Sequence, residues 1–237
     1  MNKLILITFY FLVSTLLSAS NFSKVDEVVE TAIADSIFPG ASLIIGSTDS
    51  IYYQKAYGNF TYDANSPEVT TNTIFDLASV TKAFGTNFVI MKLADEDKLN
   101  IDAPVSKYLP EFAAHHKEKV LIKDLLIHES GLPAYYSPKL GEPRDSIINK
   151  IMNLPLRHKT NEKMVYSCLN FVTLMLVAES IIDEPLYKYY KENFTSPLGM
   201  TNTKFVPSEN LRASCAPTSP KLQGSVHDPL ARGLKRL

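Results

Sequence analysis

Residues 41–45 and 51–57 are the two runs of this chain whose β-branched and aromatic content reads clearly as strand. The turn-forming Ser47-Thr48-Asp49-Ser50 between them makes the pair a hairpin. A lone hairpin is marginal in water, so any fold of this chain must supply it with partners. The rest of the sequence offers few. Apolar residues recur at helical spacing over residues 23–37, where Pro39-Gly40 ends the pattern, and again from Ser79 through Val80, Phe84, Phe88 and Met91. Further helices are expected at 122–128, 145–153, 169–182 and 186–194, joined by polar, proline-bearing loops such as residues 131–143. No convincing strand follows Phe205, and no repeat or low-complexity tract divides the chain.

Composition enters as a set of exclusions. With 45% hydrophobic and 21% charged residues the 237-residue chain is globular, neither disordered nor coiled coil. Its 24 Lys and Arg nearly balance 25 Asp and Glu, so no global positive field favours nucleic acid or an acidic membrane surface. Two cysteines exclude a disulfide framework. Lys3 followed by an apolar run from Leu4 to Leu17 and the small residues Ser18-Ala19-Ser20 has the layout of a secretory signal peptide over residues 1–20. The other reading of that run is a membrane anchor, but a span needs about 20 apolar residues, and this one is shorter and interrupted by Thr8, Ser14 and Thr15. The expectation is a domain over residues 21–237 without a membrane span, periplasmic or secreted.

Chemistry concentrates at Phe75-Asp76-Leu77-Ala78-Ser79-Val80-Thr81-Lys82. On a helix starting at Ser79, Ser79 and Lys82 share a face of the first turn, where an amine can reach the hydroxyl. The helix N-terminus there favours an alkoxide or oxyanion. An adjacent amine of lowered pKa is one way to activate a serine nucleophile. The same Ser-x-x-Lys spacing also arises by chance at solvated helix starts. Tyr166, at a loop-to-helix junction before an apolar helix, could place its phenol over Ser79 as general base and acid, or pack its ring in the core.

Taken together, "TIFDLASVTKAF" (residues 73–84), "LLIHESGLP" (125–133), "VYSCLNF" (165–171) and "SPLGMTNTKFVP" (196–207) resemble the β-lactamase-related serine hydrolases, which include class C β-lactamases, D-alanyl-D-alanine carboxypeptidases and small-ester hydrolases. The similarity runs from about residue 38 to residue 228. The resemblance implies an α+β fold, a helical subdomain packed on a mainly antiparallel sheet with the site in the groove between. It implies Ser79 as acylated nucleophile, Lys82 as its proton acceptor or electrostatic partner, Tyr166 as general base, and the Ser79 N–H as one oxyanion donor. Neither metal nor organic cofactor is called for. The implied substrate is an amide, β-lactam or ester, either a peptidoglycan-like peptide or a small molecule.

Two departures from the family pattern carry expectations. Where the family has Asn or Asp two residues after the tyrosine, this chain has Cys168, a weaker hydrogen-bonding group for holding Lys82 or substrate. A Cys168–Cys215 disulfide is one open possibility. Relatives also continue past the Val226-His227-Asp228 segment to a strand with a Gly-closed triad that walls the groove and adds the second oxyanion donor. The sequence ends at Leu237 without one. The expectation is a C-terminally truncated domain, poorly stable and close to inactive, in which binding or acylation without turnover is the alternative function. Elsewhere, a Ser-His-Asp arrangement using His227 and Asp228 lacks a Gly-x-Ser-x-Gly elbow. His115-His116 reads as solvated, His128 as a structural, hydrogen-bonded histidine, and Tyr187, Tyr189 and Tyr190 as a packed or snorkelling helix face.

Overall fold

A computed structural model describes residues 21–205, 207–219 and 221–234. The expected signal segment, residues 1–20, lies outside them. The chain divides into two compact units, Met1–Ile74 and Phe75–Leu237.

In the first unit, helix α1 (Ser23–Ala34) precedes strands β1 (Gly40–Gly46) and β2 (Ile51–Gly58). The strands pair antiparallel from Gly40↔Gly58 to Ile45↔Tyr53, with a register shift at Ile45/Gly46. The hairpin is therefore as the sequence indicates, and its partner here is a helix. Alternation along β2 puts Tyr53, Lys55 and Tyr57 on one face, and all three converge on Asp26 of α1: the Tyr57 hydroxyl donates at 2.6 Å, Lys55 Nζ at 2.9 Å, and the Tyr53 hydroxyl also donates. The tyrosine hydrogen bonds, Tyr53 first, hold the Asp26 carboxyl at about 2. Helix α1 stops three residues short of the expected end because Ser36 takes φ +57°. At the far end of β2, Gly58 has φ +66°, and a Cβ there would stand 2.3 Å from the Pro39 carbonyl oxygen, so only glycine fits.

The second unit is helical. A π-turn, Lys82–Thr86, runs into α2 (Asn87–Asp95). Then come 3₁₀ segments Val105–Lys107 and Pro110–His116, α3 (Ile122–Leu126), α4 (Arg144–Met152), α5 (Cys168–Ile182), α6 (Leu186–Tyr190), a second π-turn Lys191–Thr195, a 3₁₀ segment Glu209–Ser214 and α7 (Pro229–Leu234). Helix α5 is apolar nearly all round and correspondingly central. Its Leu169, Leu174, Met175, Val177 and Ala178 are fully buried beside Val89, Leu93, Ile122, Leu125, Ile147, Ile151 and Leu234. At about 1.5–3 kcal/mol for each large side chain removed from water, this cluster is the main stabilising element of the unit. Ser167 caps α5: its buried hydroxyl accepts from Leu169 N–H at 3.2 Å and Asn170 N–H at 3.4 Å, and donates to the Pro133 carbonyl at 2.6 Å.

Element bounds depart from expectation where the backbone turns left-handed or the helix widens. The helix expected at 122–128 ends at Leu126 because His128 takes φ +63°, and the one expected at 186–194 continues from Tyr190 as a π-turn. No helix among the described residues is long and apolar enough to cross a membrane. The possible Cys168–Cys215 disulfide is not formed. Both thiols are free, and the buried Cys215 Sγ is engaged within its own turn, donating to the Leu211 carbonyl at 3.4 Å.

Candidate active site

Ser79 stands one residue outside the helix that the sequence starts with it; helical structure begins at Val80. The turn before it is built by Asp76, whose Oδ1 accepts from Ala78 N–H at 2.9 Å. Ala78 takes φ +47°, a region that costs a non-glycine residue on the order of 1–3 kcal/mol and persists only where neighbours enforce it. Ser79 is left exposed, and its own N–H has no acceptor among the described residues. Lys82 lies three residues on, where the backbone opens into a π-turn of the kind often found at functional sites. Its Nζ donates to Ser79 Oγ at 3.3 Å. The sequence spacing thus does bring these two side chains together.

Tyr166 arrives from the segment that enters α5. Its ring centroid lies 5.2 Å from Lys82 Nζ and 4.6 Å from the His128 ring. The phenol oxygen makes no hydrogen bond among the described residues, so Tyr166 meets Lys82 through its ring face. His128 has the structural role expected of it. Its Nδ1 accepts from the Ser167 N–H at 3.1 Å, which places the ring hydrogen on Nε2 when neutral. Burial, followed by the charge on Lys82, lowers its pKa. A neutral imidazole therefore braces Tyr166 and the start of α5.

Asp76, Ser79, Lys82, Cys168, Phe171 and His227 line one pocket of about 110 Å³ in the second unit. Cys168, the first residue of α5, thus faces the same space as Ser79. His227 is what sequence reasoning missed. Its Nδ1 lies 2.9 Å from Asp76 Oδ2, and its backbone N–H donates to the same oxygen at 3.1 Å. Burial works to raise the Asp76 carboxyl, but the hydrogen bonds from His227 and Ala78 outweigh it and hold the pKa below its ordinary value. An ionised carboxylate only accepts, so His227 Nδ1 carries the hydrogen of this contact. The histidine's partner is Asp76 and not its neighbour Asp228, which accepts from the Tyr135 hydroxyl at 2.6 Å. No local signal could have found the pair, because its members are 151 positions apart. His115 and His116 are exposed, both with left-handed φ. No cluster of three or more His, Cys, Asp or Glu suited to a metal occurs among the described residues.

Comparison with known proteins shows the family. The family model described as Beta-lactamase matches residues 25–235. The chain is 32% identical over 210 residues to an N-acetylmuramyl-L-alanine amidase of Bacillus subtilis, covering 80% of this chain and 47% of the relative. It is 34% identical over 190 residues to an Escherichia coli protein described as a D-alanyl-D-alanine carboxypeptidase, covering 72% of this chain and 44% of the relative. The crystal structure of FmtA from Staphylococcus aureus superposes with a TM-score of 0.69 at 28% identity, over 80% of this chain and 53% of that one. The chain spans about half the length of the curated relatives it matches.

Proposed function

The chain belongs to the beta-lactamase family, and from that membership we propose that it is an extracytoplasmic serine hydrolase working through an acyl-enzyme. Ser79 Oγ attacks the carbonyl carbon of an amide, β-lactam or ester and passes its proton to the amine form of Lys82. The C–N or C–O bond then breaks, and the leaving group takes up a proton. Water attacks the acyl-serine, with Tyr166 as general base, and frees the acid and Ser79. The Ser79 N–H faces the developing oxyanion. Cys168 contacts the substrate from the start of α5. The substrate class is a cell-wall-related peptide or a small ester, in keeping with the relatives' names, and the leader-like sequence of residues 1–20 supports a location in the periplasm or outside the cell.

The observation that carries the reading is the 3.3 Å Lys82–Ser79 contact inside a pocket. Treating the protein with a fluorophosphonate or a labelled penicillin and mapping the adduct by mass spectrometry tests it. The adduct is expected on Ser79 alone and is expected to vanish in Ser79→Ala; a label on another serine, or one that survives that substitution, rejects the assignment. A second reading, acylation without turnover, has its own support, since the Tyr166 phenol makes no hydrogen bond to Ser79 or Lys82. A stable adduct with no ester turnover distinguishes it.

A further inference from the structure

We propose that Asp76 and His227 form a positioning pair for Ser79, in which His227 fixes the Asp76 carboxylate and that carboxylate holds the Ala78 turn from which the nucleophile projects. The inference rests on the serine-hydrolase reading above and adds a role for two residues outside the Ser79, Lys82 and Tyr166 set.

The Asp76 carboxylate divides its work between two segments far apart in sequence. Oδ1 takes the Ala78 N–H, and Oδ2 takes both the backbone and the ring N–H of His227. Two donors on Oδ2 fix the carboxylate plane, and with it the direction in which Oδ1 can receive Ala78. Without that acceptor the left-handed Ala78 keeps only the bond from Thr81 N–H to its carbonyl, and relaxation to an ordinary negative φ swings Ser79 Oγ away from Lys82 Nζ. His227 is itself set in place by contacts that do not involve Ser79. Arg232 Nη1 donates to the Val226 and His227 carbonyls at 2.6 and 2.8 Å, and Asp228 accepts from Leu230 N–H at 2.7 Å and from the Tyr135 hydroxyl. The clamp therefore exists before substrate arrives, which is what positioning requires. His227 sits at the rim, its side chain 48% exposed, whereas the Asp76 side chain is largely buried at 15%. Removing the exposed imidazole costs little global stability, so the effect of His227→Ala on the reaction is separable from an effect on folding; Asp76→Ala also removes a buried acceptor and lowers stability as well.

Two measurements on the whole chain test the proposal. Long-range ¹⁵N NMR of neutral His227 is expected to show the Nδ1–H tautomer, and Asp76→Ala is expected to abolish that preference. Fluorophosphonate labelling, resolved into a maximal rate and a half-saturating concentration, is expected to slow about tenfold or more in rate in His227→Ala and Asp76→Ala, with half-saturation little changed in both and the melting midpoint little changed in His227→Ala. His227→Asn, whose amide N–H stands where Nδ1–H stands, is expected to recover the rate to within about threefold of the starting protein. An Nε2–H tautomer, a His227→Ala protein labelled at the original rate, or a His227→Asn protein as slow as His227→Ala each overturns the proposal. If the unsubstituted protein takes no label on Ser79, the serine-hydrolase reading falls and this inference with it. If it labels and the variants match it, only the positioning role is lost.

Discussion

Cys168 stands where the resemblance leads to an expectation of Asn or Asp. It lines the pocket with Ser79 and Lys82 yet has only a weak S–H donor and a weak acceptor to offer. A carboxamide at that position can bond a substrate carbonyl or the Lys82 amine. Cys168→Asn is therefore expected to raise kcat/KM, or the acylation rate where turnover is absent, by about three- to tenfold, the worth of one ordinary hydrogen bond. An unchanged rate would show that the position carries no such contact. The two other side chains legible in the sequence, Ser79 and Lys82, were readable because three residues of helical spacing fix their proximity locally. Tyr166 comes near Lys82 by its ring face and not with its phenol over Ser79 as the sequence reading expects; that orientation depends on His128, which packs on it from a left-handed turn that no periodicity announces.

Among the elements, the end of α4 is held in an unusual way. Lys117 is fully buried, and its Nζ donates to the Met152 and Leu154 carbonyls at 2.5 and 2.7 Å, at the point where the helix leaves acceptors unsatisfied. The ammonium also lies 4.9 Å from the Phe112 ring centroid. Burial pushes its pKa down from 10.5 to about 8. Between those values the unfolded chain binds more protons than the folded one, so stability rises with pH across that window. Denaturant midpoints measured from pH 7 to pH 10 are expected to show the unsubstituted protein gaining on Lys117→Met as pH rises, other titrations being common to both. A constant difference would mean that Lys117 is not titrating in that range. Helix positions, here and at α5, followed from apolar spacing because packing rewards the same face that the sequence shows. Helix ends did not, because Ser36 and His128 stop theirs by left-handed conformations, and both π-turns continue helical spacing with a wider ring.

On the scale of the whole chain, the helices and the hairpin are legible directly from the residues, the α+β fold follows from the resemblance, and the motif order points to the family that the comparisons show. What could not be read was any contact that joins distant segments. Asp76 with His227 and Tyr135 with Asp228 are examples, since nothing local ties residues 93 or more positions apart. The same organisation divides the site mechanically. Tyr166 and Cys168 lead into a helix whose middle is deeply buried, whereas Ser79 hangs from an exposed turn held by the Asp76 carboxylate and a few backbone hydrogen bonds. Heat acts on those two supports unequally. Labelling capacity is therefore expected to disappear, on warming, several degrees before the helical signal is lost, and to return on cooling if the core has stayed intact. Coincident loss of both would mean that turn and core melt as one. Where they separate, the protein has a reversible thermal off-state, set by the turn that Asp76 holds and independent of how well the helical core is packed.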